Sequence, residues 1–103
     1  MYTIETTTNA YNGNIPEGAW NIESIHRTAS AAIKKHILLY KELNDPRGAM
    51  SCCSGHVRSN VTLDEIRQWR DKEFERIATI KNEETRMNRE FTLSRDLWRV
   101  FSL

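Results

Sequence analysis

The chain has 103 residues, and its 15 basic and 14 acidic side chains give a net charge of +1. This length fits one domain near the lower limit for a self-sufficient hydrophobic core. The near-neutral charge argues against a protein built to grip duplex nucleic acid, which usually carries a marked basic excess. No apolar run reaches the length of a membrane span, so no contact with a membrane is expected.

The first element in chain order is an irregular N-terminal arm over residues 1–14, with turn-forming residues at 12–14. Tyr2, Ile4 and Thr6 alternate with polar neighbours, a pattern that also fits a short edge strand. The first eight residues lack the basic and apolar regions of a secretory signal. We therefore expect a cytoplasmic protein, in the host cytoplasm if the protein is viral.

We predict the first helix over residues 21–44. From Ile22 and Ile25 onwards, apolar side chains recur at three- and four-residue steps as far as Leu43. His36 falls within this stripe, which favours a packed and hydrogen-bonded histidine. The helix should end before Pro46, because proline disfavours the α conformation in the residue that precedes it.

Residues 45–61 are predicted to form a loop, which is longer than the roughly 2–8 residues usual between packed helices. It contains Cys52, Cys53 and His56. Adjacent cysteines rarely bind one zinc ion, and no second cysteine or histidine pair completes a set of four ligands. A cysteine nucleophile paired with His56 would lack a third residue to orient the imidazole. We expect no metal ion, no cofactor, no catalytic residue and no enzyme activity.

The second helix should begin after Thr62, where the spacing to Glu65 fits a capping box. No glycine or proline occurs beyond the loop, so we predict a helix over residues 63–91. It either continues to residue 101 or breaks near 92–94, where Thr92 and Ser94 are poor helix formers, into a short C-terminal helix.

These elements predict an all-α fold, a long antiparallel two-helix hairpin with an irregular arm. A hairpin has little interior, and exposed apolar patches usually mark interfaces. We therefore expect copies to associate into an oligomeric helical bundle. The aromatic residues expected at the interface are Trp69, Phe74, Phe91, Trp98 and Phe101.

A second group of candidate residues surrounds the start of the first helix. With Tyr11 of the arm folded near them, His26, Arg27 and Thr28 could bind an anion or a base ring. The competing interpretation is a solvated helix end. Lys34 and Lys35 add local positive charge, which fits either a contact with phosphate or an exposed polar face.

Three segments resemble one small phage family: Tyr11 in the arm, Ile25-His26-Arg27-Thr28, and the ending Leu97-Trp98-Arg99-Val100-Phe101. The family comprises counter-defence sponges, which are helical hairpins that oligomerise and sequester cyclic-oligonucleotide signals. The resemblance implies ligand binding at a protomer interface. The family generally has a lysine near the position of His26 and a shorter hairpin loop.

The expected function is that of a small non-enzymatic binding protein, a phage-type inhibitor or regulator that occupies a host protein in host defence or host takeover. One alternative is an oligomeric sponge that binds a cyclic nucleotide through Tyr11, His26, Arg27 and Thr28. Another is a nucleic-acid-binding regulator that uses the basic residues of the first helix. The predicted partners are a second copy and a host protein.

Overall fold

The computed structural model describes residues 1–7, 15–44 and 55–103. Over these residues the chain is mixed α/β, so the predicted all-α hairpin is wrong. In chain order the elements are β1 (Tyr2–Thr7), a 3-10 helix (Glu17–Ala19), β2 (Asn21–His26), α1 (Ala29–Leu43), β3 (His56–Ser59), α2 (Leu63–Ala78) and α3 (Glu83–Phe101). The chain divides into two compact units, Met1–Val61 and Thr62–Leu103, which are described separately.

The first unit is organised around β1, the central strand of an antiparallel sheet with the order β2-β1-β3. Ile4 of β1 pairs with Ser24 on one side and with Ser59 on the other. The alternation of Tyr2, Ile4 and Thr6 therefore marked a real strand, but its position is central rather than at the edge. The part of the predicted 45–61 loop that contains β3 is likewise a strand.

The predicted helix over 21–44 is wrong in its first third, where the chain forms β2. A β-bulge in this strand explains the misleading pattern of apolar residues. Consecutive residues of β1 pair with Ser24 and Ile22, which leaves Glu23 as the extra residue of the bulge. The bulge places Ile22 and Ile25 on the same face of the sheet although they are three positions apart. Two isoleucines at this spacing imitate one turn of an amphipathic helix.

The helix α1 covers one face of the sheet and forms the core of the first unit. It begins where the Thr28 hydroxyl accepts a hydrogen bond from the Ala31 N–H at 3.2 Å. The predicted apolar stripe is confirmed within α1, and the helix ends at Leu43, before Pro46 as predicted and one residue short of the predicted bound. The cluster between helix and sheet consists of buried Ile4, Ala32 and Leu39 with partly buried Tyr2, Val57 and Val61.

Gly55 fixes where the chain returns from α1 towards β3. Its N–H donates to the Leu43 carbonyl at 3.5 Å. A Cβ atom added at Gly55 would lie only 2.8 Å from the Leu43 Cβ, which is closer than such atoms approach in proteins. The absence of a side chain therefore allows this segment to pass directly beside the last turn of α1.

The second unit is a pair of helices, and the predicted continuous helix over 63–91 is wrong. The capping box at Thr62 is confirmed. However, α2 ends at Ala78, and the N–H and hydroxyl of the capping residue Thr79 both donate to the Arg76 carbonyl, at 3.2 and 2.6 Å. α3 begins after Asn82, whose side chain accepts from the Thr85 N–H at 3.0 Å. From there α3 runs unbroken through 92–94.

The Asn82 cap provides a test of why the helix breaks at this point. We expect Asn82→Ala to lower the free energy of unfolding by about 1 kcal/mol, because the Thr85 N–H loses its acceptor. Urea denaturation followed by circular dichroism measures the change. Asn88→Ala in the exposed middle of α3 is the matched control and should be neutral or slightly stabilising. Equal losses in the two variants would contradict the assignment of Asn82 as the cap.

Candidate functional site

The residues predicted to bind a ligand lie at the junction of β2 and α1 rather than on a helix. His26 ends β2, and its Nε2 lies 2.8 Å from the Ser24 hydroxyl. Arg27 is exposed, and the hydroxyl of Thr28 is occupied in capping α1. Tyr11 lies outside the described residues. The structure therefore brings three of the four residues together as chain neighbours, and the polar groups of two of them, His26 and Thr28, already have partners.

The five aromatic residues predicted at the interface fall into three environments. Trp69 is only 9% exposed, and among the described residues its Nε1 has no hydrogen-bond partner. Phe74 and Phe101 are partly buried. Phe91 and Trp98 are 68% and 69% exposed. Of these five aromatic residues, only Phe91 and Trp98 therefore present most of their surface to solvent.

Met87 joins these two aromatic side chains in one exposed stripe along α3. It is 59% exposed and lies one turn before Phe91. Residues spaced by three, four and seven positions share one face of a helix. We call Met87, Phe91 and Trp98 the α3 seam. The step of four residues from Met87 to Phe91 is the sequence signal that could have added Met87 to the predicted interface.

A groove of about 530 Å³ lies between α2 and α3. It is lined by Glu73, Ile77, Thr85, Asn88, Arg89, Thr92, Leu93 and Asp96. Its two acidic residues already have cationic neighbours, since Glu73 lies 3.4 Å from Arg76 and Asp96 lies 3.7 Å from Arg95. The lining is mixed in polarity and does not present a pair of free carboxylates for acid–base catalysis.

The sheet face opposite α1 carries a cation held by two carboxylates. Arg58 of β3 donates to Glu17 at 2.9 and 3.1 Å, and it donates to Glu5 of β1 at 3.3 Å. Its guanidinium carbon lies 4.3 Å from the centroid of the Trp20 ring. These hydrogen bonds and the charge of Arg58 hold the pKa of Glu17 below its usual value. All three guanidinium nitrogens of Arg58 have hydrogen-bond partners. Arg58 therefore links β3 to β1 and to the 3-10 helix and does not offer an open anion-binding site.

We expect Arg58→Lys to lower the thermal midpoint nearly as much as Arg58→Gln. An ammonium group keeps the charge but cannot reproduce the forked hydrogen bonds and the stacking on Trp20. Differential scanning calorimetry measures the midpoints, and Arg27→Lys at the exposed junction is the control. If Arg58→Lys behaved like the wild type, charge alone would account for the contribution of Arg58.

His36 is a buried histidine, as the sequence predicted. It is on α1, and its Nδ1 lies 3.3 Å from the Ser59 hydroxyl. Burial lowers the pKa of His36 from 6.5 to about 4. The imidazole is therefore neutral in the folded protein at neutral pH, and it belongs to the core rather than to an accessible site.

The depressed pKa of His36 makes stability depend on pH in a defined direction. Its contribution is fully present above pH 6.5 and is lost as the pH falls towards about 4, because the unfolded chain takes up the proton first. The loss should be about 2–3 kcal/mol. Urea denaturation at several pH values should show a flatter dependence for His36→Gln than for the wild type over this window. Asn88→Ala, which removes no ionisable group, is the control and should keep the dependence of the wild type.

The described ranges contain neither a cluster of metal ligands nor a helix that could span a membrane. No group of three histidine, cysteine, aspartate or glutamate side chains there could hold a metal ion, and Cys52 and Cys53 lie outside these ranges. None of the helices described combines the length and apolar character needed to cross a membrane. Comparisons with protein-family models, curated proteins and solved structures gave no match to this chain.

Proposed function

We propose that this chain is a non-enzymatic binding protein that acts in the cytoplasm as an inhibitor or regulator by covering a surface of a host protein. The observation that carries the proposal is the α3 seam, in which Met87, Phe91 and Trp98 are all more than half exposed on one helix. Single exposed apolar side chains are ordinary, whereas an aligned group of large ones usually marks a contact surface.

The composition of the seam also fits protein recognition. Aromatic residues and methionine are enriched in protein interfaces, and tryptophan is frequent among the residues that dominate binding energy. A partner groove commonly receives an amphipathic helix through anchors spaced by three, four and seven residues. Phe91 and Trp98 are seven residues apart, so α3 presents two anchors of this kind.

Catalysis is the weaker interpretation on the same evidence. The shortest contact between a hydroxyl and an imidazole in the described residues joins Ser24 and His26, which are two positions apart on one strand. Nucleophilic catalysis also needs a group that orients the imidazole and a pocket for the substrate. The groove described above is formed by α2 and α3, and neither Ser24 nor His26 lines it.

The proposal is tested by substituting the seam while leaving the helix intact. The tagged chain is incubated with an extract of host cells, and a retained protein is identified, purified and titrated by calorimetry. We expect one-to-one binding, with the Kd raised at least about tenfold in Phe91→Asp and in Trp98→Asp because a charge replaces an apolar anchor. Thr92→Asp, one position along α3, is the matched control and should bind like the wild type.

Circular dichroism of the variants separates a loss of binding from a loss of folding. The proposal is wrong if a purified partner binds all four proteins equally. A thermal shift with cyclic dinucleotides that is lost in Tyr11→Ala would instead favour the nucleotide sponge.

A further inference from the structure

The α3 seam has the spacing of a helix–helix contact. From Met87 the steps to Phe91, Ser94 and Trp98 are four, three and four residues, and Ser94 is also exposed. This alternation of steps is the pattern by which one helix packs along another over two heptads. The buried residues of α3, Asp96 and Leu97, project from other positions on the helix.

We propose that the α3 seam pairs with the α3 seam of a second copy in antiparallel orientation. This inference rests on the proposed function, since a second copy uses the same seam and competes with the host protein for it. A twofold dimer uses the same surface of both copies, so the surface must be complementary to itself.

The charges of α3 provide this self-complementarity. Glu83 and Glu84 occupy its first turn, and Arg99 lies in its last turn. Arg95 lies beside the seam, with its guanidinium carbon 6.0 Å from the centroid of the Phe91 ring. An antiparallel pair brings the acidic end of each helix to the basic end of the other, whereas a parallel pair brings like charges together.

The sizes of the seam residues favour the same arrangement. If the twofold axis passes midway between Phe91 and Ser94, the large Phe91 ring faces the small Ser94 of the other copy. Met87 then faces Trp98, a pairing of sulfur with an aromatic ring that is favourable in proteins. Alternation of large and small side chains is how facing helices interdigitate.

The edge of the sheet is a poorer candidate for pairing two copies. Ile22 and Ile25 are exposed on β2, but this strand carries the bulge and the charge of Glu23. Bulges and charges on edge strands disfavour the addition of another strand.

The dimer should be weak. One helix pair of this length covers less than the standard interface of about 1,600 Å², so a Kd in the micromolar range is expected. Light scattering of the full chain from about 1 to 500 μM, a span bracketing such a Kd, should show the mass rise from one chain to two.

Charge reversal tests the orientation. We expect Glu84→Arg and Arg99→Glu each to weaken self-association about tenfold or more, because each places like charges at both ends of the antiparallel pair. An equimolar mixture of the two variants should dimerise like the wild type, since each contact then joins opposite charges. Arg89→Glu, which makes the same charge change at a groove-lining position, is the control and should dimerise normally.

In a parallel dimer residues 84 and 99 would each face their own counterpart, so neither single variant would weaken association and the mixture would dimerise more tightly than the wild type. That outcome, or failure of the mixture with a dimeric wild type, overturns the antiparallel orientation. Acrylamide quenching of Trp98, taken as the difference between the wild type and Trp98→Phe, separates the remaining outcomes. A monomer at all concentrations with Trp98 accessible overturns the dimer but leaves the seam open to the host partner. A monomer in which Trp98 is protected places the seam inside the single chain, and then both proposals fail.

Discussion

The first unit depends on a single strand that must pair on both sides. β1 supplies hydrogen-bonding partners to β2 and to β3, and neither outer strand contacts the other in the order β2-β1-β3. Its Ile4 is fully buried under α1, while its Glu5 accepts from Arg58 on the opposite face. The six residues of β1 therefore bring together β2 and β3, whose nearest residues, His26 and His56, are 30 positions apart in the sequence.

The two faces of the sheet are stabilised by different interactions, apolar burial on one and ion pairs on the other. On the face under α1, burial of aliphatic side chains provides the stabilisation and keeps His36 neutral. On the other face, Arg58 is engaged by two carboxylates and by the ring of Trp20. Because Glu17 is 83% exposed and Arg58 is 37% exposed, this second face should be sensitive to salt, whereas the first should not.

Local chemistry in the sequence predicted the positions of several helix ends, but it did not predict the sheet. The Thr62 cap and the end of α1 before Asn44 depend on groups within four residues of each other. Strand pairing depends on partners that are distant in the sequence. In β2 the bulge at Glu23 also interrupts the alternation of faces expected of a strand, so Ile22 and Ile25 share one face. The sequence did contain a signal for the break before α3, because a capping residue such as Asn82 followed by two glutamates is typical of a helix start.

The candidate site was predictable in composition but not in geometry. Phe91 and Trp98 are exposed on α3, yet Trp69 of the same predicted set is buried, because a helical stripe does not reveal which of its residues the rest of the chain covers. This division has a consequence for function. Trp69 cannot be changed without leaving a cavity, whereas Phe91 and Trp98 add little to a core that they barely touch. The proposed binding function therefore rests on the α3 seam rather than on the groove or the sheet edge, because its large apolar side chains are exposed and aligned on one helix.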